Sequence, residues 1–404
     1  MSSQLNTLGI YYPPNSLKTR FCVQGRQYLY QRCLDYNIPY KRTGKLVVAR
    51  CHQRAYLDQI VERVRSLSSG LNTPAPFVEL ISGSEARKLQ PDLSPDIAFA
   101  LHSPQTGIID SHALMESFEK NIGDSESGEL VHATRVVRVD PYYSHRPPEA
   151  KLPDRTTEGW VVQTVTCQRS NKEKGLSRMQ PEGESDSDAL LARVLINASG
   201  LNANLVLNSL LPSSRAIPMF YARGSYASYR GPGTKRVSQL IYPVPDMANS
   251  GTEGSFKFQS LGTHLTLDMD GNIRFGPDIE WLTPPSPHGT PADGFVIDED
   301  AIDFWTLHLV ADESRDRMQA MHRAITAYLP GVEVGGLQPD YVGIRPKLVG
   351  PNGGFQDFQV RIDRAVDFGG SGNAPMISLL GIESPGLTAS LAIAEYVVDR
   401  LKLL

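Results

Sequence analysis

The chain has 404 residues, of which 40% are hydrophobic and 21% are charged, and its formal net charge at pH 7 is −4. This length allows a large core and is typical of two domains rather than one, and the composition is that of a globular protein. The slightly acidic balance gives no reason to expect nucleic acid or an anionic membrane surface as a partner.

Motifs of several common protein classes are absent from the sequence. No run of about eighteen apolar residues predicts a transmembrane segment. The four cysteines form no C-x-x-C pair and the nine histidines show no H-x-H or H-x-x-x-H spacing, so we predict no metal site. The G-x-S-x-G, G-x-x-x-x-G-K-[ST] and G-x-G-x-x-G motifs of hydrolases, P-loop proteins and dinucleotide-binding proteins are missing as well.

The first part of the chain predicts alternating helices and strands. Capping residues and apolar spacing predict helices over 17–35 and 55–67, and Ser82 with Glu85 forms a candidate capping box for a short helix before Pro91. Extended segments are predicted over 38–49 and 98–102.

A second alternating stretch follows. The segment 107–110 leads into a helix over 111–122 with Asp110 as its cap, and short strands are predicted at 130–131 and 136–139. Alternation of this kind is typical of an α/β unit with parallel strand pairing.

Between residues 142 and 190 the composition becomes polar. The stretches 145–158 and 168–188 are poor in apolar residues, and we expect loose surface loops there, with an interaction tail as the less favoured alternative. Between them, 159–165 alternates as a half-buried strand does.

The next segments predict a buried strand over 194–200, a helix over 201–211 and mostly β-structure over 219–275. A hairpin with a type I′ turn is predicted at Asp270-Gly271. Two helices are predicted within 300–328, and 340–347 is predicted to be extended.

The chain closes on a strand over 376–381, a tight turn and a helix. Ser384 is a candidate N-cap and Pro385 a candidate first helical residue. An apolar face is predicted from the spacing of Leu387, Leu391, Ala394, Val398 and Leu401. The small residues of the first turn leave its N–H groups open to a polar or anionic ligand, although an ordinary packing helix explains the same pattern.

Three further residues combine reactive chemistry with a suitable setting. The guanidinium of Arg345 matches a carboxylate, His264 is able to accept a hydroxyl proton near neutral pH, and Tyr226 is able to donate a hydrogen bond. Structural roles remain open for all three: an ion pair for Arg345, a satisfied strand residue for His264 and a β-sheet tyrosine for Tyr226.

Taken together, a series of segments resembles the FAD-dependent oxidoreductases of the D-amino-acid-oxidase type, and within them the L-2-hydroxyglutarate dehydrogenase family. The segments that carry the resemblance occur in order along nearly the whole chain: GIYYPPNSLK (9–18), IPYKRTGKL (38–46), TGIID (106–110), NASGL (197–201), LGTHLT (261–266), DG (270–271), GP (276–277), GIRPK (343–347) and GIESPGLT (381–388).

The resemblance implies an α/β fold with a discontinuous Rossmann-like FAD-binding domain and a second, α+β substrate domain built on a mixed sheet. The FAD-binding domain would comprise 1–35, 107–212 and 336–404, and the substrate domain 36–106 and 213–335. In this family a glycine-rich βαβ segment holds the pyrophosphate of FAD, and we expect that segment to be missing here, with residues 1–8 in its place.

The same resemblance assigns site residues. It places a cofactor along two groups of residues, the first Val136, Asn197, Ala198, Ser199, Gly200 and Leu201, the second Gly381, Ser384, Pro385, Gly386, Leu387 and Thr388. It implies His264 as the base, Arg345 and Lys347 as carboxylate-binding groups and Tyr226 as a secondary contact.

The activity implied is the oxidation of a small 2-hydroxy acid, L-2-hydroxyglutarate to 2-oxoglutarate, with FAD as cofactor and an unidentified electron acceptor. The alternatives are a truncated, flavin-free remnant without activity, and the same fold acting on an amine such as sarcosine or glycine, or on glycerol 3-phosphate. A mitochondrial location is implied by eukaryotic members of the family, although the sequence shows no transit peptide, and a cytoplasmic location is the alternative.

Overall fold

The computed structural model describes residues 2–5, 9–67, 76–143, 158–166, 186–245, 262–283, 304–311 and 314–403. Its strands are β1 (Ser2–Leu5), β2 (Tyr40–Lys41), β3 (Lys45–Ala49), β4 (Glu79–Ser82), β5 (Phe99–Ser103), β6 (Gly107–Asp110), β7 (Thr134–Pro141), β8 (Trp160–Thr166), β9 (Asp186–Ala192), β10 (Leu195–Asn197), β11 (Phe220–Tyr229), β12 (Leu240–Pro243), β13 (His264–Leu267), β14 (Ile273–Gly276), β15 (Glu280–Leu282), β16 (Leu337–Lys347), β17 (Gln359–Arg364) and β18 (Pro375–Leu380). Its α-helices are α1 (Leu17–Asp35), α2 (Arg54–Leu67), α3 (Gly83–Leu89), α4 (Ser111–Gly123), α5 (Ala203–Asn208), α6 (Arg315–Thr326) and α7 (Gly386–Leu401).

A large mixed sheet holds the main hydrophobic core. Its strands follow the order β15-β11-β14-β13-β12-β3-β5-β4, and β16 also pairs with β11. β12 and β3 are parallel, whereas the other pairs are antiparallel. The strand core of Leu46, Val47 and Val48 is fully buried, as the apolar run at the centre of the predicted strand indicates.

A smaller sheet of β10, β18 and β17 lies beside the last helix. β10 and β18 are parallel, with Asn197 opposite Ser378, and β17 is antiparallel to β18. Helices α1 and α7 pack closely, and Phe21, Ile377, Ala389 and Ile393 belong to one buried cluster. Two further three-stranded sheets, β1-β6-β2 and β7-β8-β9, complete the sheets of the described residues.

Predictions that rest on local hydrogen bonds are confirmed. Ser16 accepts a hydrogen bond from the Thr19 amide at the start of α1, and Asp110 accepts from the His112 and Ala113 amides at the start of α4. The capping box of α3 forms between Ser82 and Glu85. These contacts join residues within one helical turn, so the sequence determines them without help from distant segments.

Several predictions about the middle of the chain are wrong. β6 pairs antiparallel with β1 and β2, so the described residues of this stretch lack the parallel pairing that was predicted. Residues 130–131 form no strand, and β7 instead runs continuously from Thr134 to Pro141 because it pairs with β8 along its length. Most of the two polar stretches lies outside the described residues, but Asp186–Asp188 belong to β9, which pairs with β8.

The strand predicted to be buried over 194–200 is short, and some of its side chains are exposed. β10 is an edge strand among the described residues, and Val194 and Ile196 are 43% and 45% exposed, whereas Asn197 is buried. Apolar composition predicted burial on both faces, but burial depends on neighbouring elements that composition does not reveal.

The hairpin is confirmed, but its turn type is not. The amide of Gly271 donates to the carbonyl of Asp268. A type I′ turn would require a positive φ at both Asp270 and Gly271, but of these two residues only Gly271 has one. Asp268 accepts hydrogen bonds from the amides of Asp270 and Asn272, which favours this wider loop. The first of the two helices predicted within 300–328 is a 3₁₀ turn over Phe304–His308, and the second is α6.

Within the part of the chain that the structure describes, no helix has the length and apolar character needed to cross a bilayer.

Candidate active site

A cavity of about 730 Å³ opens where the large sheet meets the start of α7. Strands β13 and β16, the loop after β18 and the first turn of α1 supply side chains to it. All four residues assigned to catalysis, His264, Arg345, Lys347 and Tyr226, line this cavity. Segments far apart in sequence therefore bring the reactive groups together.

His264 is buried on β13 and has a defined tautomer. Its Nδ1 lies 2.9 Å from the carbonyl oxygen of Gly262, which only accepts, so Nδ1 carries the hydrogen and Nε2 keeps its lone pair. Its ring stacks on Tyr242, with 3.9 Å between the ring centroids. Burial lowers the pKa of His264 to about 3; the Gly262 carbonyl opposes this shift, while the positive charges of Arg345 and Lys45 add to it. The imidazole is therefore neutral at physiological pH.

Two tyrosines lie beside Arg345 in the cavity lining. The Tyr226 ring stacks on Tyr341 with centroids 4.3 Å apart, and Tyr226 is close enough to Arg345 to raise its pKa. Burial lowers the pKa of Arg345, but Tyr226 and Glu383 outweigh that effect and the pKa is raised, so the guanidinium stays charged. Among the described residues no carboxylate forms an ion pair with Arg345. Its charge therefore faces the cavity without a carboxylate in ion-pair contact, although Glu383 stabilises it from a longer distance.

Lys347 differs from Arg345 because it already has a carboxylate partner. Its Nζ lies 3.0 Å from Oε2 and 3.1 Å from Oε1 of Glu383, and the Nζ of Lys18 lies 3.0 Å from the same Oε1. Burial raises the pKa of Glu383, but Lys18 and Lys347 more than offset this and hold it below its usual value. The simple assignment of Lys347 as a free carboxylate-binding group is therefore incomplete.

The loop after β18 and the start of α7 border the same cavity. Gly381, Ser384, Pro385, Gly386, Leu387 and Thr388 all line it. The predicted N-cap at Ser384 is wrong: α7 begins at Gly386, Pro385 occupies the cap position, and the Ser384 carbonyl instead accepts a hydrogen bond from the Tyr12 hydroxyl at 3.1 Å. This arrangement directs the first turn of the helix, with its positive dipole end, toward the cavity.

The predicted apolar face of α7 is also shifted. The buried residues of the helix are Thr388, Ala389, Ala392, Ile393 and Val397, whereas Val398 is 49% exposed. Leu387 and Leu391 pack against a second cluster with Tyr30 and Ile109, so the helix is covered on more than one side. A single periodic face is a poor guide in such a setting.

The other group of predicted cofactor residues lies elsewhere. Val136, Asn197, Ala198 and Ser199 line a second cavity of about 460 Å³ at the end of β10. The Asn197 side chain is bound within the protein, since its Nδ2 donates to the Ala203 carbonyl at 2.8 Å. Gly200 and Leu201 line neither cavity, and Leu201 instead packs beside Tyr221 and Trp305.

Several residues of the site were not predicted individually from the sequence. Tyr12, Lys18 and Glu383 line the large cavity, and Tyr242 supports His264. A signal existed for Lys18, because a lysine in the first turn of a helix opposes the helix dipole and so calls for a special reason.

Comparisons with known proteins find relatives along nearly the whole chain. The sequence profile of a family described as FAD dependent oxidoreductase matches residues 2–400. The chain is 30% identical to L-2-hydroxyglutarate dehydrogenase, mitochondrial, of Arabidopsis thaliana, over 99% of the chain and 74% of that protein. It is 24% identical to the Homo sapiens protein of the same name, over 98% of the chain and 78% of that protein.

Solved structures show the same fold at lower identity. The dithionite-reduced L-alpha-glycerophosphate oxidase of Mycoplasma pneumoniae with FAD bound matches with a TM-score of 0.64 and 18% identity, covering 98% of this chain and 82% of that one. The glycine oxidase of Bacillus cereus matches with a TM-score of 0.61 and 13% identity, covering 99% and 83%. The predicted fold class, a Rossmann-like FAD domain with a mixed-sheet substrate domain, is confirmed. The chain belongs to the family of FAD dependent oxidoreductases, and FAD is its cofactor.

Proposed function

We propose that this chain oxidises L-2-hydroxyglutarate to 2-oxoglutarate, with His264 as the base that takes the hydroxyl proton. The observation that carries the proposal is the pairing, in one cavity, of a neutral imidazole whose Nε2 keeps its lone pair with the guanidinium of Arg345, which forms no ion pair among the described residues. The names of the relatives in Arabidopsis thaliana and Homo sapiens support the same substrate.

The charge of the cavity wall favours an anionic substrate. Three cationic side chains of its lining, Lys18, Arg345 and Lys347, stand against the carboxylates of Asp357 and Glu383, whereas a fourth, Arg274, is already paired with Asp268 and Asp340. The remaining positive charge favours an acid over a zwitterionic amino acid or a neutral molecule.

Two parallel strands support a site for FAD. β10 and β18 end at the same edge of their sheet, and their continuations line the second and the large cavity, respectively. Ligands of α/β proteins bind beyond the carboxyl ends of such strands. The buried Oδ1 of Asn202 in the second cavity has no hydrogen-bond partner, as expected of a group that awaits a ligand donor.

These features fit the cofactor at its two ends. Gly381 and the residues from Ser384 to Thr388 would hold the flavin edge, where the amides of the first turn of α7 favour negative charge. Val136 would lie near the adenine end, and Asn197, Ala198 and Ser199, which line the second cavity with it, would lie along the cofactor. The same proposal retains the domain division predicted above, 1–35, 107–212 and 336–404 for FAD and 36–106 and 213–335 for the substrate.

The roles of the protein groups follow from their positions. Arg345 would bind the carboxylate next to the reacting carbon, and Tyr226 would hold the guanidinium in place. The hydroxyl proton would pass to Nε2 of His264 while Nδ1 keeps its bond to Gly262, and the substrate carboxylate near Arg345 would stabilise the imidazolium that forms. When bound, FAD would supply the acceptor for the hydride that leaves C2. A mitochondrial location, taken from the names of the eukaryotic relatives, belongs to the proposal as well.

The proposal is tested by steady-state assays of the FAD-loaded protein with an artificial electron acceptor. L-2-hydroxyglutarate should be oxidised far faster than sarcosine, glycine or glycerol 3-phosphate. His264→Ala should lower kcat by about 10² or more, whereas His322→Ala, a histidine on α6 bonded to the Val332 carbonyl, should leave it unchanged. Full turnover by His264→Ala would disprove the base, and a purified chain that FAD neither colours nor stabilises would disprove the enzyme.

A further inference from the structure

The most unusual charge arrangement in the described chain is a buried carboxylate shared by two lysines. The side chains of Lys18, Lys347 and Glu383 are 5%, 11% and 11% exposed, and both ammonium groups contact the Glu383 carboxylate at 3.0 Å. Burying three charges is costly unless they are paired, so a cluster with one charge in excess needs an explanation.

The excess charge comes from Lys18. A pair of Lys347 and Glu383 alone would be neutral and would not attract an anion, whereas the third group leaves the cluster with one net positive charge. Lys18 also lies in the first turn of α1, where the helix dipole disfavours a cation, and the Asp357 carboxylate accepts from its backbone amide at 2.9 Å. The rings of Tyr12, Phe355 and Phe358 surround its Nζ at 5.3 to 5.8 Å.

Both lysines keep N–H donors that the Glu383 carboxylate does not occupy. Each ammonium has three N–H donors, and the Glu383 oxygens account for one on Lys18 and two on Lys347. Both lysines line the large cavity with Arg345. Each therefore has at least one donor beyond the carboxylate that holds it in place.

We propose that Lys18, Glu383 and Lys347 form a clamp for the second carboxylate of a dicarboxylate substrate, in which Glu383 positions the two lysines and Lys18 supplies the net charge. This inference rests on the proposed function, in which Arg345 binds the first carboxylate. The clamp selects a substrate with an acid group at each end over a 2-hydroxy acid with an apolar tail.

A charge-restoration experiment tests the clamp. Glutarate and pentanoate differ only in one terminal carboxylate, and their binding to the FAD-loaded protein is measured by isothermal titration calorimetry. The wild-type protein should prefer glutarate. Lys18→Met should weaken glutarate binding roughly tenfold and leave pentanoate binding unchanged. Lys18→Met combined with Glu383→Gln restores one net positive charge on Lys347 and should recover most of the lost affinity.

Matched controls separate the clamp from a structural role. Lys402→Met removes an exposed lysine paired with Asp399 and should change neither affinity. If Lys18→Met weakens both ligands equally, or if the double variant folds with wild-type thermal stability but does not recover, the clamp is wrong. If the protein prefers glutarate but does not oxidise L-2-hydroxyglutarate, only the proposed reaction is overturned. If the protein oxidises L-2-hydroxyglutarate but does not prefer glutarate over pentanoate, only the clamp is overturned.

Discussion

Gly25 of α1 lies directly against the backbone of Thr388 in the first turn of α7. A methyl group on Gly25 would lie 2.2 Å from the Thr388 carbonyl oxygen and 3.1 Å from the Cα of Ala389. Only glycine allows this approach, which brings the helix N-terminus to the edge of the large cavity. The position of the candidate flavin-binding turn therefore depends on a residue of another helix.

Replacing Gly25 with alanine should separate the two helices. We expect Gly25→Ala to lower the free energy of unfolding by about 1–3 kcal/mol, because a backbone oxygen is not able to move as a flexible side chain would. Affinity for FAD should fall as well, since the first turn of α7 would shift. Thermal unfolding and flavin titration measure both effects.

Gly123 provides the control for that substitution. It ends α4, and a methyl group there would meet nothing within 4 Å. Gly123→Ala should be neutral or slightly stabilising. Equal effects of the two substitutions would show that helix propensity, and not the contact with Thr388, explains the loss.

The low pKa of His264 predicts an acid sensitivity of the fold. Because the pKa is about 3 in the folded protein and about 6.5 when unfolded, the unfolded chain binds the proton first as pH falls. Stability from this residue is complete above pH 6.5 and is lost between pH 6.5 and 3, at up to about 1.4 kcal/mol per pH unit. His264→Gln should remove that part of the slope.

Urea unfolding at pH 7, 6 and 5 measures this effect. As the pH falls, the difference in the free energy of unfolding between the wild-type protein and His264→Gln should decrease. The free energy of unfolding of His322→Gln should follow that of the wild-type protein over the same pH range. Parallel curves for wild type and His264→Gln would mean that the imidazole is not held neutral by burial.

Asp110 is the N-cap of α4, whose first residues, Ser111 and His112, line the large cavity. Asp110→Ala should cost about 1 kcal/mol, whereas Asp110→Asn keeps an acceptor oxygen and should cost less. Thermal unfolding of the two variants measures the difference, and equal losses would assign the effect to the carboxylate charge and not to the cap.

The sequence predicted what short-range contacts control. Asp110 and the Ser82–Glu85 box cap their helices as expected, because both partners lie within one turn. The resemblance assigned His264 and Arg345 to one site, and the structure places both in one cavity. The sequence motifs were therefore enough to predict that these two side chains lie in one cavity, while their chemical roles stay a prediction.

What the sequence did not predict depends on distant partners. Glu383 meets Lys347 across 36 positions of sequence and Lys18 across 365, and no local pattern reveals either contact. The exposure of Ile196 likewise depends on which strands flank β10. Side-chain pairing and strand neighbours come from the tertiary fold, so the resemblance that implied Lys347 as a carboxylate-binding group did not reveal its ion pair with Glu383.

Trp160 should be the costliest aromatic residue to alter beneath the second cavity. It is fully buried, its Nε1 donates to the Ala374 carbonyl at 3.2 Å, and its ring packs edge-on against Phe368. Trp160→Phe keeps an aromatic ring but leaves that carbonyl without its donor and opens a small cavity. Together these effects should lower the free energy of unfolding by about 2–4 kcal/mol.

Trp281 on β15 is the matched control, because it is only partly buried. Trp281→Phe should cost less than about 1 kcal/mol in the same urea unfolding experiment. Because Trp160 packs in a cluster with Val139 and Val206, which line the second cavity, Trp160→Phe should also weaken FAD binding, whereas Trp281→Phe should not. If Trp160→Phe lowers stability without any change in FAD affinity, the second cavity does not hold the adenine end of the cofactor.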